Sequence, residues 1–423
     1  MSISYGDEGV SAFKNRNWSE KCLDLTRLCA ILGAGLVSVS TAACSVAMGG
    51  MLISWLVSGK ALEILGCAIR QRVGQALCAF MLLLVIDTIY SEASLSQSLD
   101  SLWSWRKLFY GFILLGLFSE MRWKKRFIEF FVLISLIGLV ASLVSWLGWI
   151  PAFPFDYPGV VFTNHTTQGM TFAVAALCCL AWGGEIQTDQ RRWGYALAAL
   201  FALNIIFTSM ARSAYIGLLV VFWVWFARRY GKKNYIRVAI AIGLGVILVF
   251  SLSSGLRQRV NQVAEEARAY QTDRESAAGA RVNYYKNTLQ MIAERPWFGF
   301  GTGSFGKEYK DHFEALAQGC PNCLTKDPHN QYLFILTENG IVGLLVFLLF
   351  LGVSFRQSRQ PGPYTGILQG VLCVWCLTSL FSSHFRTFPE SHVFWLFWGA
   401  MLAPVVLDRP VIETSPVALS QHQ

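Results

Sequence analysis

Runs of apolar residues recur along this chain with few charges between them, and they constrain its fold more than any single motif does. They can be read at about 23–39, 42–58, 73–90, 103–119, 127–149, 165–182, 195–208, 211–228, 236–252, 335–355, 364–383 and 392–407. Each lies near the roughly 20 residues an α-helix needs to cross a bilayer, although several are short. Charged residues make up only 14% of the sequence and hydrophobic residues 54%, whereas soluble domains carry roughly 25% charge. The expected fold is therefore an all-α polytopic membrane bundle of about 12 transmembrane helices. Its units would be 1–252 with nine helices, a large loop at 253–334, three more helices at 335–407, and a cytoplasmic tail at 408–423 expected to be disordered.

Lysines and arginines set the orientation, because short cytoplasmic loops retain them. With the N-terminus inside, one side receives Lys60, Arg70, Arg72, Arg122, Lys124, Lys125, Arg126, Arg191, Arg192, Arg228, Arg229, Lys232, Lys233, Arg237, Arg356 and Arg359. The opposite short loops are nearly bare; Arg212 and Arg386 are the exceptions there. The net charge of +9 follows mostly from this asymmetry, so nucleic acid is not an expected partner. A polar stretch with Asp7, Glu8, Lys14 and Arg16 precedes the first run, which reads as an uncleaved insertion helix.

Nine of the eleven cysteines lie in or beside the apolar runs, where a thiol behaves as a small apolar group. Cys320 and Cys323 sit in the large outward loop. An oxidising compartment would favour a disulfide between them; idle thiols and a zinc site are the alternatives. The same loop opens with Leu256, Val260, Val263 and Ala267 at helical spacing, an amphipathic helix by pattern. A second helix is expected from Gly279 to Glu294, stopped by Pro296. The glycine-rich stretch Gly299–Gly306 lacks the preceding strand of a dinucleotide loop, and reads as a tight turn with aromatic anchors.

Asp327-Pro328-His329-Asn330-Gln331-Tyr332 follows. Asp327 suits an N-cap and Pro328 a first helical position, which would place His329 in the first turn of the next helix. There the positive helix end should keep the imidazole neutral and able to take a proton near pH 7. At about 100° per residue, Gly340 and Gly343 share its face, and small residues on one stripe admit a neighbouring helix. Arg212 lies in a short outward turn and Arg281 at the start of the second loop helix, near Tyr284 and Tyr285. Guanidinium groups pair bidentately with phosphate oxygens, and the anions expected in the outer half of a bacterial inner membrane are lipid-linked phosphates and diphosphates.

His329-Asn330, then nine residues, Gly340, two residues and Gly343 resembles the histidine motif of the O-antigen ligase (WaaL) family at every specified position. Arg212 with its following residues resembles that family's R-x3-L motif, with Ile216 in place of Leu. Arg281 and the Pro296–Gly301 stretch resemble its second loop arginine and Pro-x-x-Gly-x-Gly segment. The resemblance covers the whole expected topology, a GT-C-like one. It implies a periplasmic-side, inverting glycosyltransferase of the inner membrane with both termini cytoplasmic. The donor would be O-antigen polysaccharide on undecaprenyl diphosphate and the acceptor a sugar hydroxyl of lipid A core. His329 would be the general base, and Arg212 with Arg281 the diphosphate clamp.

Asn330, Tyr332, Arg106, Lys107, Asn164, His165, Gln168, His384 and Arg386 are further candidate substrate contacts on the same side. Rival functions are an O-antigen polymerase or protein-directed oligosaccharyltransferase using the same donor. A lipid-linked sugar transporter would place its polar groups near the midplane, whereas these cluster at one edge, Asp87 excepted. The outward loops hold no D-x-D pair; Asp156, Asp273, Asp311 and Asp327 stand singly. Activity without metal or cofactor is the expectation. Turnover should be unchanged in excess chelator, and a strict magnesium requirement would refute the arginine clamp.

Overall fold

The computed structural model describes residues 17–150, 157–182, 191–208, 211–252, 254–268, 276–315, 323–360, 362 and 364–405. The polar N-terminal stretch, the tail, Asp156, Asp273 and Cys320 lie outside the described residues. Among the described residues every regular element is helical. In chain order they are α1 (Trp18–Leu36), α2 (Thr41–Val57), α3 (Ala61–Ile69), α4 (Arg72–Ile86), α5 (Leu95–Ser104), α6 (Lys107–Leu117), α7 (Met121–Trp146), α8 (His165–Ala181), α9 (Arg191–Phe207), α10 (Arg212–Tyr230) and α11 (Tyr235–Leu252). The large loop contributes α12 (Ser254–Arg268), α13 (Ala277–Glu294) and α14 (Phe305–Phe313), and the chain continues into α15 (Gln331–Ser358), α16 (Thr365–Thr378) and α17 (Phe388–Leu402).

Every apolar run falls on a helix, but the expected dozen spans is not borne out. Among the described residues only α7 and α15 are long and apolar enough to cross a membrane; α2 and α3, bent by 103°, would make a third if one span. Length is the reason. The 15 residues of α4 rise only about 22 Å at 1.5 Å each, against a hydrocarbon core of roughly 30 Å. Large apolar side chains such as Val46, Leu62, Ile89 and Ile236 point outward, the surface of a membrane protein rather than a soluble one.

Two helices, α8 and α17, bury nearly all of their side chains, as helices apolar all round must. Around them α17 packs on α6 and α16, and α8 on α9 and α10. Gly111 of α6 faces Gly399 of α17 so closely that a Cβ on Gly399 would strike the Gly111 carbonyl. The missing side chains let the two backbones touch. At the C-terminal end of α17, the Lys124 ammonium donates to the Met401 carbonyl at 3.1 Å and to that of Ala403.

Helix α15 is kinked at Gly340, which has φ +64° and ψ −167°. The break frees main-chain groups, and the glycine-rich stretch pairs with them. Phe300 N donates to Thr337 O at 2.9 Å and Gly301 N to Glu338 O at 2.8 Å, while Ile341 N donates to Pro296 O at 2.8 Å. On its other side the stretch is fixed to the end of α4, with Thr302 Oγ1 donating to Leu84 O at 2.8 Å. The tight turn read from the sequence is thus a seal over a broken helix. The expectation that Gly340 and Gly343 share a stripe for a neighbouring helix is corrected. Gly340 receives the Trp297–Phe298 main chain, and Gly343 faces Asn339 across the kink with Leu83 of α4 behind it.

An alanine at Gly340 would be held at positive φ with an extended ψ, a region essentially confined to glycine, at a cost of about 1–3 kcal/mol, and would collide with the Trp297 carbonyl. Gly352, in the same helix, has open space around it, so alanine there should be neutral or stabilising by up to about 1 kcal/mol. Thermal unfolding in detergent should show Gly340→Ala well below Gly352→Ala; equal midpoints would contradict the seal.

Candidate active site

The His329 segment departs from the expected geometry. Helix α15 begins at Gln331 and its N-cap is Asn330, whose Oδ1 accepts from Tyr332 N at 3.0 Å and Leu333 N at 3.1 Å. Both Asp327 and Asn330 are good caps by residue type, and the one nearer the apolar run wins. His329 therefore precedes the helix. It has φ +54° and is the one non-glycine residue with positive φ among the described residues. Such a conformation is costly for a residue with a Cβ and persists where surrounding contacts impose it.

Those contacts are on the page. Asp327 Oδ1 accepts from His329 N at 2.7 Å and from Ser383 Oγ at 2.7 Å, while Oδ2 lies 3.1 Å from Arg386 Nη2. The Tyr285 hydroxyl of α13 donates to His329 O at 3.2 Å and to Leu380 O at 3.0 Å. Gln331 N donates to Ser379 O at 2.9 Å. The turn before α15 is thus pinned between α13 and the 379–387 loop that joins α16 to α17. Asp327, predicted to cap a helix, instead holds a turn.

The imidazole of His329 is half-buried, and its ring lies 6.0 Å from that of Tyr284, tilted by 30°. Neither ring nitrogen has a hydrogen-bond partner among the described residues. Burial pushes the ring below the ordinary histidine value of 6.5; the Asp327 carboxylate opposes this and the Arg281 cation adds to it. Desolvation, rather than the helix end expected from the sequence, is what favours the neutral ring.

Arg281 stands in the second turn of α13, close enough for its charge to act on both His329 and His384. Arg212 opens α10, with Nη2 3.7 Å from Glu266 Oε2 of α12. The same oxygen accepts from Ala278 N at 3.1 Å, so Arg212 is tied to the first turn of α13, three residues before Arg281. The structure thus brings Arg281 to His329 and links Arg212 to the start of the same helix.

His384 is 1% exposed, and neither of its ring nitrogens has a partner among the described residues. Gln331, Ser379 and Thr387 of the same region also have buried side-chain polar atoms without partners there. Most remaining candidates are engaged within the fold. Tyr332 Oη donates to Cys376 O at 2.7 Å, Asn164 caps α8, and Gln168 bridges Val161 N and Gly159 O, each at 2.8 Å. Arg106 lies 4.7 Å over the Trp103 ring, and His165 opens α8. Cys323 is disulfide-bonded; Cys320, the partner its spacing predicts, lies outside the described residues. Among the described residues no group of three or more His, Cys, Asp and Glu side chains is arranged to hold a metal ion. Ser383 and Glu266 were missed from the sequence; an acidic residue on the charged face of α12, opposite unexplained arginines, was the only signal for Glu266.

Residues 197–348 match the family model described as O-antigen ligase, which bears out the resemblance drawn from the histidine motif. The match contains Arg212, Arg281 and His329, and ends before the 379–387 loop. A stretch of 161 residues is 26% identical to a protein of Haemophilus influenzae described as uncharacterized, covering 37% of this chain and 40% of that one. Another of 249 residues is 23% identical to the general O-oligosaccharyltransferase of Acinetobacter baylyi, covering 54% and 43%. The chain thus spans 40 to 43% of the length of the curated relatives it matches.

Because the Arg281 cation helps to hold the His329 ring neutral, Arg281→Gln should raise the pKa of that imidazole. Carbon NMR of labelled histidine rings, with His329 assigned by its loss in His329→Gln, reads this directly; a fall or no change would show that Arg281 does not face the ring.

Proposed function

We propose that the protein is an O-antigen ligase, transferring polysaccharide from undecaprenyl diphosphate to a sugar hydroxyl of lipid A core on the periplasmic side of the inner membrane. The observation that carries this is a half-buried histidine, its burial favouring the neutral ring and its ring nitrogens without partners among the described residues, beside an arginine, within the matched segment. A sugar diphosphate brings its own leaving group. What remains for the protein is a base for the acceptor hydroxyl and positive charge for the departing diphosphate.

In this reading His329 takes the acceptor proton as the acceptor oxygen attacks the anomeric carbon. The bond from that carbon to the diphosphate oxygen breaks, and Arg281 and Arg212 stabilise the released charge. Attack opposite the leaving group inverts the anomeric centre. Access decides between the two histidines of the region: His384 is almost fully enclosed, whereas His329 is half-open. The first and second turns of α13 supply the arginines with a helix N-terminus, which favours an anion.

A second reading has one observation in its favour, the likeness to a general O-oligosaccharyltransferase. The base and the cations would serve a protein hydroxyl equally well, so the acceptor separates the two.

Expression of His329→Ala in a cell lacking its own ligase should lower transfer to lipid A core by roughly 100-fold or more, the range for loss of a general base. Undecaprenyl-linked polymer should accumulate at unchanged membrane levels of the protein. Full transfer by the variant would remove His329 from the reaction. Wild-type activity on protein hydroxyls with none on lipid A core would favour the second reading.

A further inference from the structure

Lys107, in the first turn of α6, is only 2% exposed. Burying an ammonium is costly unless it is paired, and among the described residues no carboxylate lies within ion-pair distance of it. Its Nζ donates instead to two main-chain carbonyls, Ser104 O at 2.7 Å and Arg386 O at 2.6 Å. Arg386 in turn lies 4.0 Å over the Phe334 ring of α15 and 3.1 Å from Asp327 Oδ2. The other oxygen of Asp327 accepts the His329 N–H at 2.7 Å. A continuous set of contacts therefore runs from α6 through the 379–387 loop to the left-handed turn at His329.

Resting on the assignment of His329 as the base, we propose that Lys107 and Arg386 are positioning residues for it. Lys107 clamps the Arg386 main chain, and Arg386, stacked on Phe334, fixes and neutralises the Asp327 carboxylate that shapes the His329 turn. Asp327 acts on His329 in two ways. Its oxygen accepts the main-chain N–H, which sets the shape; its negative charge favours imidazolium, which would spoil the base. Arg386 keeps the first effect and offsets the second. Among the described residues, the charged and titratable groups against His329 are Arg281, Tyr284 and Tyr285 of α13 and Asp327 of its own turn; Arg386 and His384 of the loop and Glu338 of α15 face Asp327 in turn.

The test measures kcat, donor KM and the pH dependence of kcat/KM for the full-length protein in detergent, with undecaprenyl-diphosphate-linked glycan and lipid A core. Arg386→Gln should lower kcat by roughly 10- to 100-fold, as a misplaced catalytic group does. Donor KM should be little changed, and the acid limb should move to higher pH because Asp327 is no longer offset. Arg386→Lys keeps the charge and should leave the limb in place. Lys107→Met should lower kcat with the limb unmoved. Asp327→Asn keeps an acceptor oxygen but loses the charge, so its limb should move to lower pH; it serves as the second test should Arg386→Gln fail to fold. An unmoved limb in both Arg386→Gln and Asp327→Asn overturns the proposal. So does a rise in donor KM as the main effect, which would make Arg386 a substrate contact. Unimpaired transfer by His329→Ala defeats the underlying assignment instead, and is distinguishable from either result.

Discussion

The rest of the structure depends on how the main chain is satisfied where α15 breaks. A helix that enters an apolar layer cannot leave carbonyl and amide groups unpaired, and the left-handed residue at Gly340 frees several of both. The 296–301 segment supplies the missing partners as though it were an added strand, and is itself tied to the end of α4. Because of this seal, residues 331–339 can leave the direction of the longer part of α15 without losing their hydrogen bonds. The short segment beyond the break is what carries Asn330 and His329 to α13 and to the 379–387 loop.

That arrangement gives each part of the site its own anchor. His329 is held from below by Asp327 and from the side by the Tyr285 hydroxyl. Arg281 is fixed by helix α13, whose start is capped by Ser276. Side chains set on or against helices hold position better than those on free loops. Lys107 and Lys124 show one solution used twice, a buried ammonium bonded to main-chain carbonyls, at opposite ends of α17.

The helices and the candidate base were legible in the sequence because both rest on local signals. Apolar runs located most of the helices, the helix expected from Gly279 to Glu294 falls within two residues of α13, and the histidine motif located the candidate site. The number of spans was not legible, because apolar content does not report where a helix bends or stops short; the run at 42–58 is α2 alone, and α3, bent 103° from it, lies between the runs that were read. The geometry of His329 was misread for a specific reason. Two capping residues lie three apart, and nothing local says which one the helix will use. Arg386 looked like an anomaly of the charge pattern because its partner, Asp327, is 59 residues away in the chain. Gly340 was read as a spacer for a helix because its positive φ depends on what it faces, and the 297–298 main chain is distant from it in sequence.

The pairing of Arg212 with Glu266 bears on which anions this face can retain. Any anion that reaches Arg212 competes with a carboxylate already present, and taking its place sets free both Glu266 and the Ala278 N–H that Glu266 accepts. An ion with a single charge gains little from such an exchange. One with several charges, long enough to reach Arg281 as well, gains a second cation and the exposed helix end. If Arg212 binds the diphosphate as proposed, the internal carboxylate sets a threshold that favours a larger polyanionic headgroup over small free anions, by valence and by span.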